Sequence, residues 1–180
     1  MQTWIALLRG INVGGNNVLP MKDLRVLLEG LGLQNVRTYI QSGNCVFEAG
    51  EADESQLAGA ISAGIEKAFG FRPEVMVLTV EAMKAALAGN PYPEGMEDSK
   101  SVHLYFLSHP AADADMDVIG EMRKPSEHFT LSDRVFYLHA PEGVGRSKLA
   151  GQVEKALRVP VTARNLRTAL KIVELAEQPA

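Results

Sequence analysis

The chain has 180 residues, 46% of them apolar and 22% charged, with a net charge of −4. These are the proportions of an ordinary globular protein of one domain or two small ones, and the mild acidity gives no bulk support to non-specific DNA binding. The lone Cys45 excludes an intramolecular disulfide and a thiolate zinc cluster within one chain. Met1-Gln2-Thr3-Trp4 lacks the charged start of a secretory signal and no apolar run reaches spanning length, so a reduced, cytoplasmic setting without membrane contact is expected.

Trp4–Leu8 is a continuous apolar run and reads as a strand buried on both faces. It opens directly into Arg9-Gly10-Ile11-Asn12-Val13-Gly14-Gly15, where adjacent glycines permit positive φ and exposed N–H groups. Leu24, Leu27, Leu28 and Leu31 then repeat at helical spacing, with Pro20 before them and Gly30 and Gly32 after. Val36–Gln41 and Asn44–Glu48 are β-rich and flank Ser42-Gly43, a hairpin signal. Leu57, Ile61, Ile65 and Phe69 step through a second helix capped by Asp53 or Ser55; Glu74–Val80 is a fourth strand and Glu81–Ala88 a closing helix.

Asn90-Pro91-Tyr92-Pro93-Glu94-Gly95 breaks the pattern, and the order starts again. Val102–Leu107 is a strand, Asp113–Met122 a short helix, and Phe129–Leu131 with Val135–His139 a hairpin around Ser132-Asp133. Leu149–Leu157 is a helix, Val161–Arg164 a strand and Leu166–Ala176 a last helix with Leu166, Leu170 and Val173 on one side. The expected fold is α+β: two ferredoxin-like, split β-α-β subdomains in tandem with antiparallel sheets, over residues 1–90 and 101–180, joined by a linker at 91–100.

This topology says which loops meet. The end of the first strand lies beside the turn joining the second and third, which brings Arg9–Gly15 next to Gln41-Ser42-Gly43-Asn44. In the second half, Gly143-Val144-Gly145-Arg146-Ser147-Lys148 comes next to Arg164-Asn165. Arg9 ends an apolar strand and needs a carboxylate, carbonyls or a ligand anion; its structural alternative is to anchor the hairpin turn. Asn12 and Asn44 have a structural alternative too, since turn asparagines bond backbone and tolerate left-handed φ.

Gly143–Lys148 has the form of a phosphate cradle at a helix N-terminus, with Arg146 and Lys148 adding charge; the alternative is a helix capped by Ser147 with solvated basic residues. The spacing of a Walker A loop is absent. Ser147 with His139 is the minimum for an activated hydroxyl, but the capping role of Ser147 competes. Cys45 falls in an apolar strand and reads as a buried small hydrophobe. His103, His109, His128 and His139 lack metal-helix spacing; strand pairing would bring His103 and His139 together, yet without carboxylates no metal is expected, and no cofactor. The split β-α-β unit is also that of the RNA recognition motif, but Asn44–Glu48 lacks its signature; Tyr105, Phe106, Phe136 and Tyr137 occupy the corresponding strands of the second half without the arginine-glycine context, so packing is their expected use.

Ala6–Gly15, Tyr39–Asn44, Gly143–Leu149 and Thr162-Ala163-Arg164-Asn165 together resemble the bacterial domain-of-unknown-function family 1697, in order and over nearly the whole chain. The resemblance implies two ferredoxin-like subdomains and no particular activity. The family commonly continues Arg-Asn with Trp-Asn-Thr, whereas this chain has Leu166-Arg167-Thr168, which loses an aromatic and an amide and gains a positive charge. The leading expectation is a protein that binds a phosphorylated or other anionic small molecule, enzymatic or not. Arg9, Asn12, Gly14, Gly15, Ser42 and Asn44 would form one wall, and Gly145, Arg146, Ser147, Lys148, Arg164 and Asn165 the other. The alternatives are an RNA or single-stranded nucleic-acid binder and an interaction module with structural loops.

Overall fold

The computed structural model describes residues 1–179. The chain divides into two compact units, one comprising Met1–Lys84 with the segment from Lys171 on, the other Ala85–Leu170. The first unit contains β1 (Gln2–Leu8), α1 (Met21–Gly30), β2 (Gln34–Tyr39), β3 (Asn44–Ala49), α2 (Glu54–Phe69), β4 (Val75–Thr79) and the start of α3 (Val80–Ala88). Its sheet has the order β2-β3-β1-β4, with every neighbouring pair antiparallel. Thus β1 and β2 run parallel with β3 between them, the split β-α-β arrangement.

The second unit repeats it: β5 (Val102–Leu107), α4 (Met116–Met122), β6 (His128–Leu131), β7 (Val135–His139), α5 (Lys148–Leu157) and β8 (Val161–Asn165), leading into α6 (Leu166–Glu177). The order is β6-β7-β5-β8, again antiparallel throughout. The protein is therefore α+β, with two four-stranded antiparallel sheets in tandem.

Local chemistry explains the boundaries. Asp53 caps α2 through a full capping box with Gln56, and Gly70 closes that helix at φ 80°. In the second unit Asp115 caps α4 by accepting from Val118 N at 3.1 Å, so the helix starts at Met116 rather than at Asp113. Trp4, Ala6 and Leu8 of β1 pack on the helix side with Leu24, Leu28, Ile61 and Ile65. Ile5 and Leu7 point to the opposite face and are also buried, as expected for a strand with no polar alternation. The core of the second unit gathers Tyr105, Leu107, Phe136 and Leu138 with Ile119, Leu149, Val153 and Leu157.

In α6 the buried stripe is Leu166, Ala169 and Ile172, while Leu170 is exposed: the inward face lies one residue away from the larger leucine. Arg37 on β2 donates to Leu175 O at 2.6 Å and Gln178 O at 2.9 Å, a cation on the terminal carbonyls of that helix. The segment read as a linker contains a 3-10 turn, Pro93–Met96, and Tyr92 within it bonds Thr130 of β6 at 2.8 Å.

Candidate functional site

In the first unit, the loop after β1 and the turn between β2 and β3 do converge. Leu8 N donates to Gly43 O at 2.8 Å. Asn12, at φ 53°, donates through Nδ2 to Gln41 O at 2.8 Å and Leu19 O at 2.9 Å, and accepts from Leu19 N at 2.8 Å. Its amide is thereby committed to the chain. Val13–Asn16 form a small bridge closed by Asn16 N to Val13 O at 2.9 Å, with Gly14 and Gly15 at φ 57° and 77°. Two central residues with positive φ are the requirement of a tight hairpin turn, which accounts for this glycine pair without a ligand. Gly43, at φ 85°, admits no side chain: a Cβ would stand 2.7 Å from that of Leu8. Asn44 is fully buried and donates to Tyr39 O at 2.9 Å and Ser42 Oγ at 3.0 Å. Arg9 is exposed, its N–H bonded to Glu74 O at 3.0 Å.

In the second unit, the register places the end of β7, the start of β5 and the end of β8 together: Val102 opposes His139, and His103 opposes both Leu138 and Asn165. Gly143, at φ 85°, turns the chain after β7, and Ser147 is buried, its Oγ accepting from Ala150 N at 3.0 Å to cap α5. Asn165 does the same for α6, accepting from Thr168 N at 2.8 Å. Gly145, Arg146 and Lys148 are exposed. Arg164 opposes Leu104, so its side chain leaves the sheet on the face opposite His103 and Tyr105; its Nη1 bonds Ala163 O at 2.8 Å.

The companions of Arg146 and Lys148 are residues the sequence did not single out. Arg123 and Lys124, at the exit of α4, line one groove of about 500 Å³ with Arg146, Lys148, Glu121 and Met122. Packing of α4 beside α5 makes this meeting, because the end of one helix comes to the start of the other. The Arg123-Lys124 pair before Pro125 is its only trace in the sequence. Among the described residues, none of these four cations has a carboxylate oxygen within 4.0 Å. A second concavity has the opposite character, with Asp113, Asp115 and Asp117 around Arg158.

At the end of the sheet where β5 starts and β7 finishes, three buried polar atoms lack a partner: Glu127 Oε1, His103 Nδ1 and His139 Nδ1. Burial pushes the His103 imidazole below its ordinary pKa. It pushes the Tyr105 phenol up to about 12, with the negative Glu127 adding to the effect. His103 and His139 sit one residue out of register and on opposite faces, so they are not together. His139 instead stacks on Tyr92 and His128, and no hydrogen bond joins it to Ser147. Among the described residues no group of three or more His, Cys, Asp or Glu is placed to hold a metal ion, and no helix is long and apolar enough to cross a membrane. Tyr105, Phe106, Phe136 and Tyr137 are all buried, so these strands expose no stacking platform.

Tandem split β-α-β units with glycine loops at the strand ends define the structural class. The chain belongs to the family described as protein of unknown function (DUF1697), whose model matches residues 1–137. The second loop pair lies beyond that match. A solved structure, that of the conserved bacterial protein SP0830 from Streptococcus pneumoniae, is similar over 97% of this chain and 98% of its own, with 25% identity and a TM-score of 0.69. No curated protein matches.

Proposed function

We propose that the protein binds a phosphorylated or otherwise anionic small molecule in the groove between the exit of α4 and the entry of α5. The observation that carries this reading is the set of four cations, Arg123, Lys124, Arg146 and Lys148, around one concavity with no carboxylate within ion-pair distance. Holding four like charges together costs free energy that an anion relieves, and a concave wall focuses their field. Two guanidinium forks suit phosphate or carboxylate oxygens, and the α5 N-terminus adds its positive end. This electropositive groove exists in a chain with a net charge of −4.

The test is thermal unfolding with pyrophosphate, sugar phosphates, nucleotides and short RNAs, for the native protein and the Arg123→Ala and Arg146→Ala variants. A ligand at a hundred times its dissociation constant stabilises the folded state by about 2.7 kcal/mol. The expected result is such a shift with at least one small phosphorylated compound, lost in both variants. A shift with RNA alone would favour nucleic-acid binding, and no shift with any compound would favour an interaction module.

A further inference from the structure

The cationic groove is one end of a longer furrow that runs between α4 and α5. Met122 lines both the cationic end and a middle stretch of about 430 Å³, walled also by Val118 and Ala156. Asp115 and Arg158 line that middle stretch and, in addition, the concavity of Asp113, Asp115 and Asp117. The two helices run in opposite directions along the furrow. Asp115 N donates to Ala156 O at 2.8 Å at the acidic end, while Met122 and Lys148 share the cationic end. The ten residues of α5 span about 15 Å of it.

Charge is sorted along this line. Arg123, Lys124, Arg146 and Lys148 outweigh Glu121 at one end, and the three aspartates outweigh Arg158 at the other. Val118, 40% exposed, stands in the middle with Lys155. Aspartates at the start of α4 suit the positive end of its dipole, so local helix stability accounts for them. It does not account for Arg146 and Lys148, which stand at the positive end of α5, where cations are disfavoured. A line that reads positive, apolar, negative is its own complement when reversed. A two-fold axis lying across the middle of the furrow lays the four cations of one copy on the three aspartates of the other, twice, and brings the two apolar stretches together.

We propose that α4 and α5 form the self-association face of this protein, with a second copy of the chain, related by that two-fold axis, as the partner. A face two helices wide and about 15 Å long belongs to the small-interface class, so the dimer is weak and charge holds its register. Self-association does not depend on the anion groove proposed above, but it covers the same cations. On that reading, a bound anion and a second copy exclude one another.

The experiment is sedimentation equilibrium of the full chain at about 0.01 M and about 1 M salt, between which the screening length falls from about 30 Å to about 3 Å. The expected result is a monomer–dimer equilibrium with a dissociation constant of about 10–100 μM at low salt, weakened about tenfold or more at high salt. Two charge-reversed variants use exposed residues only: Arg146→Glu with Lys148→Glu, and Asp113→Lys with Asp117→Lys. The first chain is acidic at both ends of the furrow and the second is basic at both. Each alone, with a native unfolding midpoint, should sediment as a monomer, and their equimolar mixture should form a heterodimer. A native chain that stays monomeric at low salt overturns the proposal, as does a dimer indifferent to salt. Natively folded variants that each still dimerise, or that fail to recombine, overturn it too. Pyrophosphate separates this inference from the anion reading: where it raises the unfolding midpoint, it should also dissociate the native dimer. A raised midpoint with the dimer intact overturns the self-association face and leaves the anion groove standing. A salt-sensitive dimer with no anion binding does the reverse.

Discussion

Asn12 bonds Gln41 and Leu19 from a left-handed backbone position, and so holds the first glycine loop against the β2–β3 turn. Replacing it with alanine removes three hydrogen bonds and places a Cβ residue without a compensating amide at positive φ. The Asn12→Ala variant is expected to lose about 2–3 kcal/mol of stability in urea unfolding. Its phosphate affinity should be unchanged, which separates an anchor from a ligand contact. The sequence marks Asn12 as a turn residue, but its partners lie 7 and 29 positions away, a distance that no local pattern encodes. Arg164 shows the same limit: strand position was legible, yet its pairing with Leu104 decides which face the guanidinium takes.

At the scale of elements, hydrophobic periodicity and glycine punctuation were sufficient to order the strands, because buried strands and amphipathic helices carry different periods. Boundaries were settled by side chains the periodicity ignores, as where the Asp115 cap starts α4 at Met116 rather than at Asp113. The cationic groove was half legible. Gly143–Lys148 stands out in one segment, but Arg123 and Lys124 join it only through the packing of α4 beside α5. On β5, His103 is held neutral by burial, with its pKa below the ordinary 6.5. The unfolded chain therefore binds the proton first as pH falls, and the stability it contributes is complete above about pH 6.5 and declines through the lowered folded value. Unfolding midpoints measured across that window should fall for the native protein and fall less steeply for His103→Gln. Equal slopes would remove His103 from the account.

At the scale of the whole molecule, one topology occurs twice with different uses of its loops. In the first unit the polar atoms of Asn12 and Asn44 serve the backbone, and Gly14-Gly15 serves a tight turn. In the second, the opposite end of the sheet, at the start of β5 and the end of β7, has buried polar atoms without a partner, and the groove between α4 and α5 carries four cations with no carboxylate oxygen within 4.0 Å. That asymmetry, in a chain whose average charge is negative, makes the second unit the expected seat of binding. Chemical-shift mapping of backbone amides during titration with ribose 5-phosphate tests this most directly. The account predicts saturable shifts at Arg123, Lys124 and Gly143–Lys148, with the Arg9–Gly15 loop unmoved; shifts confined to Arg9–Gly15 and Gln41–Asn44, or none at saturating ligand, would contradict it.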